Sequence, residues 1–238
     1  MIRLTILLIF VLSAPAFAQE FTLDFGAEAG LTSKTIQLFG IITILSLAPG
    51  IAMMVTCFPF ILTVLSILRQ AIGLTQSPPN MLIVSLALFL TYFVMEPVFQ
   101  ESWHNGISPM IDGTQSTEVS IEKTAAPFRL FMENRVDQDT LAEIRKLRPD
   151  IPSETPSFSV LIPAFMISEI TRAFQIGFLV YLPFLIIDLV VSAVLMSMGM
   201  MMVSPAMISL PFKLAFFVVA DGWTLVAGSL VRGYLGST

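Results

Sequence analysis

The chain has 238 residues, 55% of them hydrophobic and 12% charged, with a mean hydropathy of +0.86 and a net charge of −5. Soluble domains carry about 25% charged residues, so this composition belongs to an integral membrane protein, and the acidic balance gives no footing for nucleic acid. One cysteine, Cys57, and one histidine, His104, exclude an intrachain disulfide and a zinc site of about four Cys or His ligands.

The first eighteen residues read as a secretory signal peptide. Arg3 supplies the positive start, Leu4 to Leu12 the apolar core, and Ala16-Phe17-Ala18 the cleavage site. The core is shorter than the roughly 20 residues that span a bilayer. Cleavage after Ala18 puts Gln19 outside the cytoplasm, at the head of a polar leader over 19–35.

An apolar helical hairpin is expected over 36–99. Ile36 to Leu68 carries no charge, Arg69 closes it, and Gln70 to Met95 is again uncharged. "QSPPN", Gln76 to Asn80, separates the arms, because paired prolines do not continue a helix. Arg69 at a cytoplasmic turn satisfies the positive-inside rule. Pro49-Gly50 and Pro59 are expected to kink or break the first arm.

Composition changes sharply at Glu101. The stretch to Glu154 holds 16 of the 29 charged residues, and a small polar helical domain on the outer face is expected over 100–158. "DQDTLAEIRKLRP" is its clearest helix. Thr140 and Glu143 have capping-box spacing, Arg145, Lys146 and Arg148 suit the C-terminal end, and Pro149 stops it. Leu141, Ile144 and Leu147 or Arg148 mark one face. A second helix is expected over "APFRLFMENR", starting at Pro127.

The remainder, 159–238, is apolar again. Val160 to Val203 exceeds one simple span, and Pro183 is expected to divide it; Ala206 to Val231 forms a last segment containing Pro211. No stretch reads as a strand, and the fold class is all-α: bent apolar hairpins with a polar helical insertion.

Six charges interrupt this last region: Glu169, Arg172, Asp188, Lys213, Asp221 and Arg232. Ionisable groups in apolar helices face protein or water and need partners. Glu169 and Arg172, three apart, share a helix face. Lys213 has no opposite charge within helical reach and needs one elsewhere in the fold or in another subunit. Structural pairing is the plain reading; a proton relay in a small proton-coupled transporter is the rival. Asp188 and Asp221 invite comparison with an intramembrane aspartyl protease, with only "ADGW" in support, and no serine–histidine pair is credible. No catalytic residue is assigned.

"MSMGMMMVSP", Met196 to Pro205, holds five methionines in seven residues. Thioethers are soft copper(I) ligands, but Met-x-Met spacing in an apolar run is more often packing material.

Three blocks, "IPAFMISEITRAFQIGF" (Ile162 to Phe178), "YLPFLIIDLVVSAVLMSMGMMMVSP" (Tyr181 to Pro205) and "LPFKLAFFVVADGW" (Leu210 to Trp223), closely resemble the FliP family of type III export gates. The likeness extends over "LAPGIAMMVTCFPFILTVLSILRQAIGLTQSPPN". It implies a pentamer of FliP copies joined by FliR and FliQ, with FlhB as a further partner and membrane lipid around it. Unfolded flagellar proteins, or effectors in the virulence relatives, pass through the resulting channel. The resemblance implies no catalysis and no cofactor or metal. It places a channel gasket at Met200, Met201 and Met202, and an ion pair between neighbouring subunits at Glu169 and Lys213. It also places channel-lining side chains at Phe131 and at Ile144, where the family usually has an aromatic.

Overall fold

The computed structural model describes residues 30–74, 78–149, 156–200 and 202–236. The signal peptide, most of the leader and Met201 lie outside the described residues. Among the described residues every element is helical. The chain divides into two compact units, residues 1–47 and 48–238.

In the first unit, helix α1 (Gly30–Met54) is already under way inside the stretch read as leader. Thr43 Oγ1 donates back to the Phe39 carbonyl at 2.8 Å, a local bond that hides a hydroxyl within an apolar helix. The helix carries Pro49 without interruption and passes into the second unit, ending at Met54. The break expected at Pro49-Gly50 falls instead over residues 55–57. Helix α2 (Phe58–Ile72) follows, with Pro59 in its first turn, where a missing N–H costs nothing.

Helix α2 is the centre of the second unit. Phe60, Ile61, Val64, Leu65, Leu68, Ala71 and Ile72 are all buried. Gly73, at φ 88°, closes it as a left-handed cap, its N–H donating to the Gln70 carbonyl. Arg69 reaches across the following turn to the side-chain oxygen of Asn80, where α3 (Asn80–Ser102) begins. The first arm of the expected hairpin is split between α1 and α2, and α3 follows as the second. This second arm runs past residue 99 and continues through a π-helical turn at Trp103–Ile107 into the single-turn α4 (Ser108–Ile111).

The polar segment contributes α5 (Thr117–Arg135) and α6 (Gln138–Lys146). Helix α5 starts ten residues before Pro127, which sits buried in its interior rather than at its head. Helix α6 is capped by Asp137, whose carboxylate accepts from the Thr140 N–H and hydroxyl, both at 2.9 Å. Those bonds hold the Asp137 carboxyl below its ordinary value of 3.8. The cap is thus an Asx cap at Asp137, and not the expected Thr140–Glu143 box. Leu141 is buried and Ile144 half-buried, as the helix face requires, but Leu147 is exposed.

Helix α7 (Phe158–Ser197) is continuous over 40 residues, with Pro163 and Pro183 inside it. Pro183 does not divide it. At 1.5 Å per residue it is about 60 Å long, twice the hydrocarbon thickness of a bilayer. Helix α8 (Pro205–Val219) also carries an internal proline, Pro211. It meets α9 (Gly222–Leu235) at a 61° bend, where Asp221 adopts φ 47°. Asp is among the few non-glycine residues that tolerate this conformation.

Two apolar clusters organise the unit. The larger joins α2 to α3, α7, α8 and α9 through residues such as Leu65, Ala87, Phe184, Phe217 and Leu230. The second joins α5 and α6 to the start of α7 through Met132, Val136, Leu141, Leu161 and Phe165. The polar segment thus shares a core with α7. Two runs among the described residues, Asn80–Ile111 and Phe158–Ser197, are long and apolar enough to cross a membrane, and the bent pair α8–α9 meets the same criterion taken together.

The α2–α7 contact is close. A Cβ on Gly177 would sit 2.4 Å from Ile67 Cδ1 and 3.3 Å from its Cβ. Overpacking of this kind costs about 1–3 kcal/mol. Gly177→Val should lower the unfolding midpoint in detergent, and adding Ile67→Ala should recover part of the loss. An unchanged midpoint in the single variant would show that these helices do not touch there.

Candidate functional site

The methionine turn is built by a specific helix ending. Helix α7 closes in a Schellman motif: the Gly199 N–H donates to the Met196 carbonyl at 3.1 Å, and the Met200 N–H to the Leu195 carbonyl at 3.0 Å. This geometry needs a left-handed residue, and Gly199 supplies it at φ 74°. Five residues after Gly199, Ser204 stands at the N-cap of α8, which starts at Pro205. The helix ending is fixed by these two bonds, and the described methionines around it are exposed. Met200 is 42% exposed, Met202 is fully exposed, and Met196 and Met198 are exposed beside them.

Behind the turn, the distal part of α7 has almost no cover from its own chain. Ten of its 40 residues are buried, and only Leu195 lies beyond Phe184. Ile186, Leu189, Val190 and Val194 are exposed, as are Met207, Ile208 and Phe212 on α8.

The hairpin is fixed at its base by ions. Lys213 Nζ donates to Asp188 Oδ2 at 2.6 Å and to the Ala71 carbonyl at 3.1 Å. Ser209 Oγ donates to Asp188 Oδ1 at 2.6 Å. Ala71 lies in the last turn of α2, where carbonyls lack intrahelical partners. Lys213 therefore ties α8 to α7 and caps α2. Its partner, sought elsewhere in the fold or in another subunit, is Asp188 of the same chain, 25 residues away.

Glu169 anchors a second cluster. Fully buried on α7, its Oε1 accepts from Arg135 at 3.2 Å and from Arg172 at 3.1 Å, while its Oε2 accepts from the Tyr234 hydroxyl. Arg135 Nη1 also donates to the Gly233 carbonyl at 3.1 Å, and its guanidinium lies 4.0 Å over the Tyr234 ring. The local Glu169–Arg172 pair is present, but Arg135 and Tyr234 were missed. A charged helix terminus reads as solvated, and nothing at Tyr234 marks it as a partner. The Ser168 hydroxyl accepts from the Asp137 N–H at 3.0 Å, joining α6 to the same turn of α7.

Glu169 and Lys213 do not meet within the chain, and each has partners of its own. A bridge between copies would have to displace Arg135, Arg172 and Tyr234 on one side and Asp188 on the other. Phe131 and Ile144 are both half-buried. Phe131 packs edge-on to Phe165 at 5.9 Å and stacks on Tyr234 at 6.2 Å, and Ile144 lies against the second apolar cluster.

Comparison with known proteins is unambiguous. The FliP family model matches residues 41–230. The flagellar biosynthetic protein FliP of Caulobacter vibrioides is 52% identical over 229 residues, 94% of this chain and 86% of its own length. That of Agrobacterium fabrum is 43% identical over 244 residues, 98% of this chain and 100% of its own. That of Bacillus subtilis is 43% identical over 206 residues, 85% of this chain and 93% of its own.

Intrachain and intersubunit pairing differ in where a lost charge is felt. Glu169→Met leaves Arg135 buried without its carboxylate, so the isolated chain in detergent should lose about 3–5 kcal/mol of unfolding free energy. Lys213→Met should cost less, because Asp188 is 31% exposed and keeps Ser209. The two losses should add in a double-mutant cycle. Coupling between them, or a loss seen only in assembled copies, would place the bridge between subunits.

Proposed function

The chain belongs to the FliP family, and on that premise we propose that it is a subunit of the flagellar type III protein export gate. Several copies, a pentamer by resemblance, join FliR and FliQ to form the channel through which unfolded flagellar proteins leave the cell, with FlhB as a further partner. The gate lies in the bacterial inner membrane, with the polar segment on the periplasmic side. The chain positions and seals, and carries out no catalysis.

One observation carries this reading: the distal arm of α7 and the facing part of α8 hold out an exposed apolar hairpin tipped with methionines. A surface of this kind needs lipid or sister subunits to cover it. At about 60 Å, α7 is too long for lipid alone. Sister copies packed around a shared opening bring the Met200–Met202 turns together. Methionine is unbranched, polarisable and adaptable, so a ring of such side chains closes on itself or on a passing chain of changing shape. Leucine would yield less, and polar residues would admit water and ions. Phe131 and Ile144 line the outer part of the channel with whatever faces they leave uncovered. The relatives' names favour the flagellar system over its virulence counterpart.

A small proton-coupled transporter built from this chain alone is the reading from another class, and the pairing of buried Lys213 with half-buried Asp188 is what favours it. Intact-complex mass spectrometry from mild detergent separates the two. The gate gives an assembly with FliQ and FliR, whereas the transporter gives a monomer or dimer without them.

Replacing Met200 to Met202 with alanine should leave the assembly intact and let the closed gate conduct small ions in a planar bilayer; an ion-tight variant would remove the gasket role. Cysteines at Met201 should crosslink between copies, and a stalled substrate should block the crosslink.

A further inference from the structure

A groove of about 320 Å³ opens between α7 and α9 over the start of α2. Ile176 and Val180 form one wall, Leu225, Val226 and Leu230 the other, and Val64 the floor. Its upper end is basic. Arg135 and Arg172 line it there, together with Ser229 and Tyr234. Exposed Arg232 lies within 3.4 Å of the Ser229 hydroxyl.

The charges at this end do not balance locally. Arg135 and Arg172 share the one carboxylate oxygen Glu169 Oε1, while Arg232 lies back along α9 beside Gly228 and Ser229, outside the groove lining. Asp137, exposed at the head of α6, also feels the Arg172 charge, but its Oδ2 is held by Thr140. Arg172 is 35% exposed, with its Nε and further N–H groups free of the contacts described above.

Polarity along the groove runs in one direction. Arg172 stands where the polar segment ends against α7, at the level of Arg135 and Asp137. From there Ile176 and Val180 descend along α7 for about 12 Å at 1.5 Å per residue, into wholly apolar surroundings. A cationic mouth at the polar boundary with a narrow aliphatic slot beneath it matches the shape and charge of one lipid. Basic pockets between membrane helices bind anionic head groups. The apolar face of a second copy would fill the slot but would leave the arginines without an anion.

We propose that this groove holds an anionic phospholipid, its phosphate on the exposed edge of Arg172 and one acyl chain between α7 and α9. The proposal rests on the membrane character of these helices and not on the gate reading. The test measures lipid held by the isolated full chain, so its failure leaves that reading standing.

The experiment delipidates the chain in mild detergent, offers phosphatidylglycerol or phosphatidylcholine, and counts retained lipid by native mass spectrometry. Wild type should keep phosphatidylglycerol several-fold better. Arg172→Gln should abolish the preference. Ser229→Trp, at an exposed groove position outside the ion cluster, should expel both lipids and keeps the test alive if Arg172→Gln misfolds. Lys123→Gln, at a distant cation, should change nothing. Equal retention of the two lipids by wild type, or a preference that survives Ser229→Trp, overturns the site. If Ser229→Trp leaves lipid in place but prevents copies from associating, the groove belongs to a second copy and the proposal fails.

Discussion

A single buried carboxylate holds the second unit together. Glu169 sits on α7, receives Arg135 from α5 and Arg172 from its own helix, and accepts the Tyr234 hydroxyl of α9. These helices are far apart in sequence and belong to different apolar clusters. Apolar contact is non-directional and would allow them to slide. A charge with no exposure requires particular donors in a particular arrangement, because leaving it unsatisfied costs several kcal/mol. The Phe131–Tyr234 stack and the Arg135–Tyr234 cation–π contact add to the same junction. The polar segment, the long helix and the C-terminal helix therefore meet in one register.

The long helix divides its work along its length. Its first part is buried against α2, α5 and α6, with Gly177 letting Ile67 approach closely. Beyond Phe184 only Leu195 is buried, while the helix continues for three more turns to the methionines. Lys213 and Asp188 brace this unsupported part from the side. Both charged clusters are thus paired within the chain, one at the base of the unit and the other along its projecting arm.

Much of this was readable from the residues. The all-α class, the helix over Gln138–Lys146 and the Glu169–Arg172 pair follow from periodicity, charge and spacing. The proline rules failed in a consistent way. Pro49, Pro127, Pro163, Pro183 and Pro211 all lie inside helices. In an apolar, multi-helix setting neighbouring groups compensate the missing N–H, so proline marks a breakpoint less reliably than in water. At Asp137 the nearer cap won because a carboxylate accepts from both the N–H and the hydroxyl of Thr140, leaving the Thr140 hydroxyl no role as a cap. The partners of Lys213 and Glu169 lie 25, 34 and 65 residues away, and only tertiary packing reveals them.

The Schellman ending at Gly199 separates two kinds of stiffness. The backbone of the helix ending is held by paired hydrogen bonds, whereas each exposed thioether side chain keeps three rotatable bonds. Deformation at this tip can proceed by rotamer hops, on picosecond to nanosecond timescales, without unwinding a helix, which takes far longer. A constriction assembled from such tips would change its bore by side-chain rotation alone. It would also recover its shape unaided, since the frame behind it never moved.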